Sequence, residues 1–131
     1  MKFLLDTHIW VWSLLEPQRL SRRVAKTLED ARNELWLSPI SIWEILVLCR
    51  KNRLDLKGDP VAWISTALGR VPFREATLTH EVVLATNAMD LPHNDPADQF
   101  LAASAKVYGL VLVTADVNLL SSKNYPVLPN R

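Results

Sequence analysis

Gly109-Leu110-Val111-Leu112-Val113-Thr114-Ala115-Asp116 is the stretch on which the reading of the fold turns. A short, unbroken apolar run rich in Val is the pattern of a strand buried on both faces of a parallel sheet, because a strand with one wet face would alternate instead. Working outward, Lys2-Phe3-Leu4-Leu5 has the same character at the other end of the chain, and it too runs into an acid, Asp6. Leu35-Trp36-Leu37 is a shorter third candidate. Val71-Pro72-Phe73 and Pro126-Val127-Leu128 are expected at sheet edges, since Pro cannot donate to a ladder. The sheet should have four or five strands.

Helical signals fill the intervals. Leu20, Val24 and Leu28 lie four apart beside a basic face of Arg22, Arg23 and Lys26. Ser38-Pro39 pairs an N-cap residue with Pro at the first helical position and predicts a helix from about Pro39 to Lys51. Asp59-Pro60 repeats the signal ahead of Val61 to Leu68, and Asp95-Pro96 repeats it ahead of Ala97 to Tyr108. Thr79 is expected to cap a helix running to about Met89. Strands alternating with helices predict an α/β layered fold with a mainly parallel sheet. The 131 residues suit one domain, residues 1–131, with no repeat and no linker; Asn52 to Asp59 is only a connection.

Composition narrows the function classes. With 15 Lys and Arg against 14 Asp and Glu the net charge is +1, so nucleic-acid binding by bulk charge is excluded and any such role must rest on local patches. Cys49 is the sole cysteine, which rules out an intramolecular disulfide and a cysteine-built zinc site, and it reads as a small apolar residue. The opening apolar run is broken by Asp6 and His8 too early for a signal peptide. No stretch approaches the roughly 20 apolar residues of a membrane span, so the expected location is the cytoplasm.

Ligand sites of parallel α/β sheets lie outside the carboxyl ends of the strands. Asp6 directly follows the first strand, and Asp116 follows the last central one. Glu44 falls in the second turn of the helix after Trp36, and Asp98 in the first turn after Asp95-Pro96. Glu44 carries the most information, because Ile40-Ser41-Ile42-Trp43-Glu44-Ile45-Leu46-Val47-Leu48-Cys49 is apolar on nearly every face, and no basic residue occurs between Arg32 and Arg50. A carboxylate there needs a distant salt bridge or a metal. Taken singly, Asp6 is equally a helix N-cap and Asp116 an ordinary turn residue. Four acids at one sheet edge repel one another, so the cluster is stable mainly around a cation, and all-oxygen ligation selects Mg²⁺ or Mn²⁺ over zinc.

Leu4-Leu5-Asp6-Thr7-His8, Ser38-Pro39-Ile40-Ser41-Ile42-Trp43-Glu44-Ile45, Leu91-Pro92-His93-Asn94-Asp95-Pro96-Ala97-Asp98 and Leu112-Val113-Thr114-Ala115-Asp116 resemble, in order and spacing, the four motif blocks of PIN-domain nucleases. The similarity is greatest to the VapC-type toxins of toxin–antitoxin pairs. It implies a three-layer α/β/α fold and an endoribonuclease using Mg²⁺ or Mn²⁺. It also implies an acidic quartet of Asp6, Glu44, Asp98 and Asp116, with Thr7, Thr114 and Asp95 supporting it, and a homodimer silenced by an antitoxin. Two departures stand out: Gln99 occupies a position where many relatives have Arg, and Cys49 a stretch where they often have Lys.

Each feature also has a plainer reading. Asp95 before Pro96 is the usual N-cap arrangement and only secondarily a fifth ligand. His8 and His93 flank the site and are expected to hydrogen-bond or touch substrate, whereas His80 is expected to be structural. Trp36 and Trp43 sit in segments that look buried, while Trp10, Trp12 and Trp63 are candidates for a dimer or antitoxin surface. Arg22, Arg23 and Lys26, like Arg50, Lys51 and Arg53, form basic patches that are either solvated helix faces or phosphate contacts. Among rivals, a phosphatase would want an Asp-x-Asp pair where Asp6-Thr7-His8 stands. A phosphoacceptor receiver would want adjacent acids and a late Lys. The remaining alternative is a catalytically inactive PIN-like module that binds RNA or protein.

Overall fold

The computed structural model describes residues 1–92 and 95–131. His93, one of the two residues expected to flank the site, lies outside the described residues.

Five strands form one sheet in the order β3-β2-β1-β4-β5, where β1 is Lys2–Leu5, β2 Glu34–Leu37, β3 Arg74–Glu75, β4 Val111–Thr114 and β5 Val127–Pro129. All four pairings are parallel. The unbroken apolar runs have the cause inferred for them: Leu4 and Leu5 in β1 and Leu112 and Val113 in β4 are fully enclosed, with neighbours on both faces. One core holds Phe3, Leu5, Leu35, Leu37 and Val113 against Ile9, Trp10, Val24, Ile45 and Ile64. The other holds Leu4 and Leu112 against Ile40, Leu101, Ala105 and Leu119.

The helices supplying those residues are α1 (Thr7–Leu15), α2 (Arg22–Glu29), α3 (Pro39–Arg50), α4 (Pro60–Leu68), α5 (His80–Ala85), α6 (Pro96–Tyr108) and α7 (Val117–Leu120). Helices α1 to α4 line the first core, and α6 and α7 line the second, which makes the fold a three-layer α/β/α arrangement. The caps read from sequence hold at atomic level. Ser38 accepts from the Ile40 N–H, Asp59 from Ala62, and Thr79 from Val82. Among the described residues no helix is long and apolar enough to cross a membrane.

Several expectations shift. The edge strand expected at Val71–Phe73 forms one step later, because Ala76 N–H reaches the Leu37 carbonyl and draws Arg74 and Glu75 alongside Trp36 and Leu37. The helix expected from Thr79 to Met89 ends at Ala85, and Thr86–Ala88 continues as a 3-10 turn. Two tryptophans exchange roles. Trp10 is 1% exposed and belongs to the core rather than to a surface, whereas Trp43 is 48% exposed and not buried.

Candidate active site

The carboxyl ends of β1 and β4 lie side by side at the centre of the sheet, and the residues that follow them set the site. Asp6 N–H donates to the Val113 carbonyl at 3.0 Å, which fixes the turn from β1 into α1. Asp6 stands at the N-cap position of α1, yet its side chain makes no capping bond. It accepts instead from the Thr114 hydroxyl at 2.7 Å. Thr114 Oγ1 in turn accepts from the Asp116 N–H at 3.0 Å, so one threonine ties both strand ends together. Asp116 caps α7 by accepting from the Asn118 N–H at 2.8 Å.

Glu44 enters from α3. The hydroxyl of Thr7, buried at the start of α1, donates to Glu44 Oε1 and lies 2.9 Å from Ser41 Oγ. A hydroxyl carries one proton; with that proton given to Glu44, Ser41 is the donor to Thr7. Ser41 was missed by sequence reasoning, although a small polar residue one turn before Glu44 in an apolar helix was the available signal. Asp98 enters from the first turn of α6 and is 6% exposed, as is Asp6. Asp95 accepts from the Ala97 and Asp98 N–H groups at 3.0 and 3.4 Å, which is the cap read from the Asp-Pro pair.

Asp6, Glu44, Asp95, Asp98 and Asp116 thus border one cleft of about 450 Å³, together with His8, Trp12, Arg19 and Ala115. Its electrostatics are those of carboxylates partly buried beside one another. Burial, then repulsion by Asp95, Asp6, Asp116 and Glu44, pushes Asp98 up to about 8. Burial also lifts Glu44 to about 7, against the opposing hydrogen bond from Thr7 and with further repulsion from Asp6, Asp95 and Asp116. Asp6 is raised by burial and held back by the Thr114 hydroxyl. A cation in the cleft would favour the ionised form of each.

Among the described residues no group of three or more His, Cys, Asp or Glu side chains is gathered closely enough to hold a metal ion. The donors present are nonetheless the oxygen set of a hard cation. An open cleft suits Mg²⁺, which keeps several waters and takes only one or two carboxylates from the protein.

A family model described as the PIN domain matches residues 3–122. The chain belongs to the PIN-domain family. This PIN domain is 35% identical over 124 residues to Ribonuclease VapC22 of Mycobacterium tuberculosis, a match covering 92% of each chain. Its fold is similar to that of a chain in the crystal structure of VapBC2 from Rickettsia felis bound to a DNA fragment from their promoter. There the TM-score is 0.74 at 16% identity over 98% of each chain. FitAcB from Neisseria gonorrhoeae gives a TM-score of 0.67 at 23% identity, over 98% of this chain and 97% of the other. The expected VapC-type resemblance therefore extends over nearly the whole PIN domain.

Proposed function

We propose that the protein is a divalent-metal-dependent endoribonuclease and the toxin half of a toxin–antitoxin pair. The observation that carries this reading is the convergence of Asp6, Glu44, Asp98 and Asp116, from four separate elements, on one cleft at the carboxyl edge of a parallel sheet. Similarity to a protein named a ribonuclease supports RNA as the substrate class. Similarity to chains solved in VapBC complexes supports an antitoxin partner.

In this proposal Asp6, Glu44, Asp98 and Asp116 supply the carboxylates among which Mg²⁺ or Mn²⁺ would be held, and the metal would lend Lewis acidity to a phosphodiester and lower the pKa of attacking water. The chain's own part is orientation and proton control. Thr114 holds the Asp6 carboxylate and Thr7 holds Glu44 through Oε1, leaving Glu44 Oε2 to take a proton or a ligand. In the metal-free cleft Glu44 is raised to about 7 and Asp98 to about 8, so binding of the cation would displace protons from both.

The protein acts as a homodimer, and its antitoxin places an Arg or Lys among the carboxylates, where a guanidinium can pair bidentately. The deciding experiment is cleavage of total RNA by purified protein over a Mg²⁺ series and in EDTA, with ends mapped by sequencing. Discrete cleavage sites that appear with Mg²⁺ or Mn²⁺ and vanish in EDTA are expected. They should also vanish in Asp6→Asn, Glu44→Gln, Asp98→Asn and Asp116→Asn. Cleavage indifferent to EDTA sinks the metal-dependent reading.

A further inference from the structure

The cleft poses an electrostatic problem for its own substrate, because five carboxylate-bearing residues line it and an RNA strand is a polyanion. Arg19 is the one Lys or Arg among the described lining residues, and His8 is the other basic-type side chain there. Arg19 closes the 3-10 turn Pro17–Arg19 after α1, and its guanidinium carbon sits 4.1 Å from the centroid of the Trp12 ring. Trp12 also meets His8, at 5.8 Å between ring centroids. A cationic and aromatic wall thus faces the acids.

We propose that Arg19 is the phosphate-binding residue that lets RNA enter this cleft, contacting a phosphate that flanks the scissile one, and that Trp12 is its positioning residue. The inference rests on the ribonuclease reading and names how that site receives its strand.

Three observations carry it. The guanidinium lines the cleft half exposed, and among the described residues its ion pair is a 3.4 Å contact to Glu16, itself half exposed. Such surface pairs contribute little and yield readily to a phosphate. The Trp12 face beneath orients the planar group, and a cation over an aromatic ring is held by about 0.5–1 kcal/mol at an exposed site. The turn is anchored from the far end of the fold: the Asn130 amide donates to the Arg19 carbonyl at 3.0 Å, and Asn130 Oδ1 accepts from the Ser21 N–H at 2.7 Å. Asn130 N–H also donates to the carbonyl of Thr114, the residue that holds Asp6. Arg19 is therefore tied to the same strand end as the carboxylates. Guanidinium is the side chain suited to planar, bidentate phosphate contact.

The test uses the full chain carrying Asp6→Asn, so that RNA is bound and not cut, and titrates a fluorescein-labelled single-stranded RNA by anisotropy across a salt series. Arg19→Met in that background should weaken binding roughly tenfold. It should also lower the slope of log Kd against log salt by about 0.7, the loss of one single-strand phosphate contact. Arg19→Lys should restore the slope and only part of the affinity. Trp12→Leu should weaken binding in the presence of Arg19 and add little to Arg19→Met. Thermal melts accompany it, because Trp12 also packs on the core. Arg32→Met, an exposed cation away from the cleft, is the control and should bind as the parent does.

An unchanged Kd and salt slope for Arg19→Met, while the wild-type chain still cleaves RNA, overturns the proposal and leaves the nuclease reading standing. Additive losses in the double variant overturn the positioning role of Trp12. Failure of the wild type to bind or cleave any RNA overturns both readings together.

Discussion

Asp95 and Asp98 are three residues apart on the same helical turn and do different work. Asp95 is exposed and spends its Oδ1 on the N–H groups of Ala97 and Asp98, whereas Asp98 is buried at the cleft. Asn caps a helix about as well as Asp, so Asp95→Asn should keep kcat/KM within several-fold of wild type. Asp98→Asn should lose on the order of a hundredfold or more. Initial rates on a fluorogenic RNA oligonucleotide check both, and equal losses would make Asp95 a ligand. The contrast was legible in the sequence because both assignments are local: Asp before Pro is a cap, and an acid one turn further on is turned elsewhere. Ser41 left only the faint signal of a small polar residue in an apolar helix and Arg19 none, since the first meets Thr7 and the second Trp12 only in the folded chain. Trp10 and Trp43 were misplaced for a related reason. Helices α1 and α3 are apolar nearly all round, so periodicity gives no phase and nothing in the sequence says which indole faces inward.

The helix starts were the most readable elements, because a Ser or Asp followed by Pro satisfies its own first turn without help from elsewhere. Strand β3 was least so. Its two residues are exposed and pair only because β2 lies alongside, so no apolar pattern marks them. Helix α1 was marked only by Asp6 as a possible cap, because an apolar segment directly after a strand continues the strand's own pattern. At the end of α6, Gly109 adopts φ +65° and leads straight into Leu110 and β4. A Cβ placed there meets nothing within 4 Å, so the effect of substitution is conformational alone. Gly109→Ala should cost about 1 kcal/mol. Differential scanning calorimetry should register a fall in Tm of about 3–5 °C. Cleavage at 25 °C should match wild type, as the cap lies at the opposite end of β4 from Thr114. A change in activity without a change in Tm would contradict this account.

Across the whole molecule, the acids make metal-free stability depend on pH in an unusual direction. Asp98 at about 8, Glu44 at about 7 and the raised Asp6 all hold protons more tightly when folded than when unfolded. Their contribution to stability is complete below the ordinary carboxylate range, near pH 4. For Glu44 and Asp98 it is lost as pH rises through about 7 and about 8, and Asp6 acts in the same direction. In EDTA the Tm should therefore decline between pH 5 and 9. Millimolar Mg²⁺ should remove much of the decline, since a cation bound only by the folded cluster favours the ionised form. A metal-free Tm that climbs over that range would show that the acids are not crowded in solution. The sheet order carries a different consequence. Strand β1 is central, and it meets β4 only by closing the chain between Asp6 and Thr114, 108 residues apart. Contacts of such long sequence separation are slow to form. Asp6 and Asp116 cannot meet before that closure, so a half-folded molecule carries the acids without the cleft.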